Sequence, residues 1–241
     1  MSVKVVTIDN PPLNTVSAAV IDHLWDELDA LDGVGAVVIR GAGERAFSAG
    51  ADITGFAGLG EDGSGRPKGI APLAEFMESL DVPIVAALHG YTLGGGLEIA
   101  LACDVRIAAE DTQLGFPEVS LGLLPGGGGT QRLPRVTTPG RAAWLIMSGE
   151  RIPAQQAYEW GLVEKVVPNA ELEQAADELA GRLASLSPYA VGTIKRLLRE
   201  TRAAPDYERE FAAFVSCLSS DDGQEGIAAF LEKRQPRWVG R

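Results

Sequence analysis

Glu98 stands in a stretch, Leu97 to Cys103 (L-E-I-A-L-A-C), that is apolar at every other position and so reads as a helix buried on all sides. A carboxylate without partners in such surroundings costs several kcal/mol or more, so it is neutralised, paired, or kept for chemistry. Just before it, Gly94, Gly95 and Gly96 break the chain. Residues without side chains at a helix start leave backbone N–H groups bare, where the helix dipole also favours negative charge. Such amides can stabilise an oxyanion. Pairing with an arginine would explain Glu98 alone, and close packing would explain the glycines alone; together they favour a reactive site.

A second carboxylate, Glu118, follows twenty residues later in Q-L-G-F-P-E-V. The interval allows the helix to end, a strand to run back and the chain to return to the same spot, so two carboxylates could face one pocket. By itself Glu118 reads as a solvent-exposed loop residue. Other candidates are weaker. Ser48 in F-S-A-G lacks the first glycine of a G-x-S-x-G elbow, since Ala46 occupies that position. Gly58 to Gly63 (GLGEDG) matches G-x-G-x-x-G literally, but no apolar strand precedes it, no helix follows, and Glu61 and Asp62 would repel a pyrophosphate. His23 and His89 read as structural, and Cys103 and Cys217 fit neither a disulfide framework nor a zinc site.

The elements needed to position these groups are legible in order. Val3 to Ile8 is strand-like and ends at Asn10-Pro11-Pro12. Ser17 can cap a helix with Val20, Leu24, Leu28 and Leu31 on one stripe, and Ala36 to Arg40 is a second strand. Arg45 to Ile53 (RAFSAGADI) reads as a small-residue turn, and Gly55 to Pro72 as a mobile loop. After a short helix, Ala74 to Leu80, the strand Pro83 to Leu88 runs into the glycine turn, and Val105 to Ala109 returns as a strand. Gly126 to Gly129 forms another glycine turn entering a helix. Pro139 and Pro153 each open a helix, the second stopping at Gly161. Val163 to Val167 is the last strand. Helical patterns then cover Leu172 to Leu186, Tyr189 to Thr201, Tyr207 to Leu218 and Gly223 to Arg234. The character of the chain therefore changes near residue 168 from mixed α/β to all helix.

With 241 residues the chain can bury a large core. Its 21 basic and 33 acidic residues give a net charge of −12, which argues against nucleic acid or an anionic membrane as the main partner. No apolar run approaches the ~20 residues needed to span a bilayer, and MSVKVVTIDN lacks the features of a signal peptide, so a cytoplasmic location is expected.

Taken in order, NPPLNTVS, AFSAGADI, PIVAALHGYTLGGGLEIALACDVRIA, GFPEVSLGLLPGGGGTQRLPR, GLVEKVV and EGIAAFLEKRQPRW resemble the enoyl-CoA hydratase/isomerase family, the crotonase superfamily, over nearly the whole chain. The resemblance implies an α/β fold, a crotonase-like spiral of strand-strand-helix turns in residues 1–168. A C-terminal all-helical region, residues 169–241, would serve trimerisation and complete the CoA pocket. It implies acyl-CoA thioester substrates and a homotrimer or a hexamer built as a dimer of trimers. No metal or redox cofactor is expected, CoA being part of the substrate. Carried over by position, the backbone amides of Ala51 and Gly95 would form the oxyanion hole and Glu98 and Glu118 would be the catalytic carboxylates. Arg45 would lie by the nucleotide, with Ala49, Asp52 and Ile53 also in substrate contact, and Phe230 and Lys233 would reach a neighbouring subunit's CoA.

Having both carboxylates is what selects a hydratase within this resemblance, with Glu98 as base towards water at the β-carbon and Glu118 as acid towards the α-carbon. A double-bond isomerase using Glu118 alone, and a non-catalytic CoA- or RNA-binding relative, are the alternatives. Gly127 or Gly128 and Asn10 depart from residues common in the family, and residues 55–72 match no family motif, so the acyl-chain preference stays open.

Overall fold

The computed structural model describes residues 1–52, 69–201 and 204–240. Apolar runs in the sequence become a five-stranded parallel sheet in the order β1 (Ser2–Ile8), β2 (Val34–Gly41), β4 (Ile84–Leu88), β6 (Val105–Ala109) and β9 (Lys165–Val167). Covered on both faces, the central strands β2, β4 and β6 are buried along most of their length, whereas the edge strand β1 leaves Val5 exposed. Alternate residues divide between two clusters: Val37 and Ile39 join the main core, while Ala36 and Val38 face the other way.

Three-residue strands β3 (Ala46–Ser48), β5 (Tyr91–Leu93), β7 (Gln113–Gly115) and β8 (Arg151–Pro153) build a second sheet in that order, parallel except for β7 with β8. Each of β2, β4 and β6 is followed directly by a strand of this second sheet. Helices α2 (Ile70–Ser79) and α3 (Gly95–Ala102) separate the successive pairs. The chain is thus a spiral of strand-strand-helix turns, entered through α1 (Ala18–Asp29), whose first turn is capped by the Ser17 hydroxyl accepting from Val20 N–H.

The second sheet corrects three expectations. Ala46 to Ser48 is a strand, not part of a turn; β5 intervenes between Pro83–Leu88 and the glycines; and Pro153 ends β8 and caps a helix that begins at Ala154. In the large sheet, the last strand starts at Lys165 rather than Val163. Helix α2 also begins at Ile70, inside the expected loop, with Pro72 in its first turn where a missing N–H loses no hydrogen bond.

After β7 a 3-10 turn, Pro117–Leu121, leads to α4 (Gly129–Val136), α5 (Pro139–Ser148) and α6 (Ala154–Trp160). The four C-terminal helices are α7 (Leu172–Ala184), α8 (Pro188–Glu200), α9 (Tyr207–Ser219) and α10 (Asp221–Glu232). The change of character near residue 168 does not separate α7 from the core. Leu172, Ala175, Ala176, Ala180 and Ala184 pack on Ala36, Val38, Val85, Ala87 and Ile107, closing the second face of the large sheet. Helices α9 and α10 instead leave Phe211, Phe214, Ile227, Phe230 and Leu231 exposed.

Two buried polar residues hold the spiral in register. Asn14, at φ 54, donates through Nδ2 to the carbonyls of Ala42 (2.8 Å) and Ala46 (2.7 Å), tying the first loop to the β2–β3 connection. The Arg106 guanidinium donates to the carbonyls of Leu162, Ala100 and Cys103 and pairs with Glu164 at 2.6 Å. It thereby satisfies carbonyls at the C-terminal end of α3, which a buried helix end requires.

Candidate active site

Helix α3 starts where β5 ends. Gly94 makes the turn at φ 49, its N–H donating to the Gly115 carbonyl at 2.9 Å, and its carbonyl accepts from Glu98 N–H. Every residue of α3 is buried, as its composition demands, and Glu98 is only 2% exposed. Its partners are backbone amides rather than a cation: Gly127 N–H at 2.7 Å and Gly129 N–H at 2.8 Å both donate to Oε1. Gly129 is the first residue of α4, so the carboxylate also meets the positive end of that helix. On balance the Glu98 carboxyl is pushed up: burial outweighs the two amides and the Arg132 guanidinium, which pull it down.

Glu118, on the 3-10 turn after Pro117, is part-buried. It returns to the start of α3: a methyl group on Gly94 would lie 2.6 Å from Glu118 Oε1. Its Oε2 is buried with no hydrogen-bond partner. Burial pushes its carboxyl up to about 7, a shift that the nearby Glu98 charge reinforces. The two carboxylates therefore differ in kind. Glu98 is raised by burial against two donated amide hydrogen bonds, whereas Glu118, with one oxygen unpartnered, is poised to hold or lose a proton near neutrality.

On the other side of the α3 start lies Ala51. Val16 donates to the Gly50 carbonyl (2.8 Å) and Asp52 N–H donates to the Val16 carbonyl (3.1 Å), a parallel bridge that points the Ala51 N–H away from this pairing. A methyl group on Gly95 would sit 3.2 Å from Ala51 N, so the two amides are neighbours. Gly95 N–H belongs to the first turn of α3 and has no partner within the helix. Two adjacent amides beside two carboxylates can hold a carbonyl oxygen as charge builds on it and move a proton to and from the neighbouring carbons.

The remaining expected residues are placed less tightly. Ala49 donates its N–H to the Leu13 carbonyl at 3.0 Å, and Asp52 sits beside Ala51. Arg45 is exposed and its carbonyl accepts from Tyr91 N–H. Phe230, 83% exposed, and Lys233, exposed at the end of α10, lie on the solvent-facing surface of the chain. Ile53 and the glycine motif at 58–63 lie outside the described residues. Ser48 is fully buried, its hydroxyl accepting from Gly50 N–H at 3.4 Å. Sequence reasoning missed Arg132, Glu78 and Ile70. Arg132, 7% exposed, pairs with Glu78 behind the Gly127–Gly129 turn, and Ile70 packs against both Gly95 and Gly127. The available signal for Arg132 was a charged residue in the helix opened by a glycine turn.

The family model for enoyl-CoA hydratase/isomerase matches residues 1–241. The chain belongs to that family. Among its relatives, the probable enoyl-CoA hydratase of Bacillus subtilis (strain 168) is 44% identical over 99% of this chain and 95% of its own length. The carnitinyl-CoA dehydratase of Escherichia coli O157:H7 is 38% identical over 100% of this chain and 96% of its own length. The solved structure of an enoyl-CoA hydratase from Bacillus anthracis superposes with a TM-score of 0.89 at 39% identity, covering 99% of this chain and 96% of that one. The spiral of strand-strand-helix turns with a C-terminal helical region is thus the crotonase fold. Among the described residues, no helix is long and apolar enough to cross a membrane, and no cluster of three or more His, Cys, Asp or Glu residues is arranged to hold a metal ion.

Proposed function

We propose that the protein is an enoyl-CoA hydratase, adding water reversibly to a 2-enoyl-CoA thioester to give a 3-hydroxyacyl-CoA. The observation that carries this reading is the unlike pair of carboxylates beside two adjacent amides. The Ala51 and Gly95 N–H groups stabilise the thioester oxygen as it gains charge, a contribution of roughly 3–4 kcal/mol for one such donor in other enzymes. Glu98, anchored through Oε1, activates water with Oε2 for attack at the β-carbon. Glu118, protonated near neutrality, delivers a proton to the α-carbon, and dehydration reverses the roles. The reaction needs no metal or redox cofactor, since CoA is part of the substrate.

The family relationship supports an acyl-CoA substrate, and Arg45, Ala49, Asp52 and Ile53 are proposed to line its path. The exposed apolar surface of α9 and α10 supports assembly into trimers or hexamers. There Phe230 and Lys233 would meet a neighbouring subunit's CoA, and the enzyme would work in the cytoplasm. Some relatives are named carnitinyl-CoA dehydratases, so dehydration of 3-hydroxyacyl-CoA thioesters belongs in the substrate panel. An isomerase relying on Glu118 alone is the competing reading.

The test is loss of the conjugated enoyl-thioester absorbance of crotonyl-CoA. Turnover by the wild type, with kcat lowered about 10²–10⁴-fold in both Glu98→Gln and Glu118→Gln, supports paired-carboxylate hydration. A wild type inert towards crotonyl-CoA and longer 2-enoyl thioesters refutes it. Glu98→Gln retaining full activity on a 3-enoyl thioester establishes the isomerase instead.

A further inference from the structure

The Gly126–Gly129 turn consists of the residues that lose most backbone freedom on folding, yet it must hold two amides on one oxygen of Glu98. Something outside the turn has to order it. Behind it lies Arg132, whose Nη1 donates to the Gly127 carbonyl at 2.9 Å and whose Nη2 pairs with Glu78 Oε2 on α2 at 2.9 Å. The guanidinium packs directly over Gly128, which is left-handed at φ 105, in space that any side chain at that position would fill. A buried cation is costly, and its Nε has no hydrogen-bond partner, so an arginine is an expensive choice for packing alone.

The peptide groups of the turn alternate accordingly. The amides of Gly127 and Gly129 point at Glu98, and the carbonyl between them points at Arg132. Because both amides meet Oε1, Oε2 is left with neither. We propose that Arg132, anchored by Glu78, is a positioning residue for Glu98: it clamps the glycine turn so that one carboxylate oxygen is fixed and the other faces the substrate water. This inference rests on the hydratase reading and adds a residue pair that touches neither substrate nor reacting atoms.

The charges facing Glu98 set the expected pH behaviour. Arg132 comes from α4, Glu118 from the 3-10 turn, and Glu78 from α2 behind Arg132. Of the other elements packed on α3, β3 carries no ionisable side chain and β5 only the exposed Tyr91. Removing the Arg132 charge should raise the pH at which Glu98 ionises. Neutralising Glu78 should leave that cation less compensated and lower it.

The experiment measures kcat and KM for crotonyl-CoA against pH in wild type, Arg132→Gln, Arg132→Lys and Glu78→Gln, with melting temperatures as a folding control. Alongside, the Glu98 carboxyl is titrated by 13C NMR, assigned through Glu98→Gln. Expected are a kcat about 10- to 100-fold lower in Arg132→Gln with KM within about threefold, and an acid limb and Glu98 midpoint moved to higher pH. Arg132→Lys should restore the midpoint but only part of kcat, because lysine keeps the charge without the fork. Glu78→Gln should move the midpoint the opposite way. Unmoved midpoints in Arg132→Gln, or a shift in the same direction in Glu78→Gln, overturn the proposal. If Arg132→Gln does not fold, the Glu78→Gln sign and the Arg132→Lys kcat decide it in the same way. A wild type without turnover would sink the hydratase reading, whereas the NMR midpoints would still test the clamp.

Discussion

Replacing Glu118 by glutamine should change how stability depends on pH, and the sign follows from where its proton sits. The folded carboxyl titrates at about 7 against an ordinary value of 4.5, so between those pH values the folded protein holds a proton that the unfolded chain has lost. Stability therefore falls as pH rises through this window, with no penalty below 4.5 and the full penalty above about 7. At ~1.4 kcal/mol per pH unit the ceiling is roughly 3 kcal/mol, and partial exposure reduces it to about 1–2 kcal/mol. Glutamine cannot ionise, so Glu118→Gln should gain about 1–2 kcal/mol on the wild type between roughly pH 4 and pH 9. For a chain of this size that is about 2–8 °C in melting temperature. Calorimetry at several pH values and one fixed protein concentration measures it, since association also shifts the transition. Only the pH dependence of the difference matters, because the glutamine amide brings its own constant desolvation cost. A difference that is flat across this range would mean that Glu118 is not a desolvated carboxyl, and the proton-donor role assigned to it would lose its basis.

Other substitutions probe the frame around the site. Asn14→Ala should cost about 2–4 kcal/mol by chemical unfolding, because two carbonyls lose their donor and alanine must adopt a left-handed conformation; a loss below about 0.5 kcal/mol would contradict this. Gly96→Ala should cost about 1–3 kcal/mol and lower turnover, since its methyl group would lie 2.5 Å from the Ser48 carbonyl oxygen and push α3 off β3; wild-type melting and kcat together would contradict it. Burial pushes the Cys103 thiol up to about 12. It should therefore resist thiol reagents at neutral pH until the protein unfolds, and mass spectrometry showing rapid labelling of Cys103 in the native state would refute its burial.

Much of this protein can be read residue by residue because burial leaves a local pattern. The central strands of the large sheet are covered on both faces and so appear as apolar runs, the helices carry caps such as Ser17 and stops such as Gly161, and Glu98 stands out as the one charge in α3. The glycine turns likewise mark where backbone amides would be exposed. The second sheet was not legible. A strand of three residues is too short to show a period, and Ala46–Ser48 or Tyr91–Leu93 becomes a strand only because a partner far along the chain pairs with it.

The sequence alone determined which residue types could do chemistry: an isolated buried carboxylate, glycine turns without side chains, and a second carboxylate at a return distance. Only the tertiary structure decided what each group is. Glu98 and Glu118 share one chemistry but differ in partners, two amides for one and a bare oxygen for the other. Arg132 and Glu78 meet across 54 residues, and Asn14 reaches carbonyls 28 and 32 residues away. Such contacts depend on closure of the spiral, which no local pattern encodes, because pairing energy is gained only after the intervening chain has been ordered.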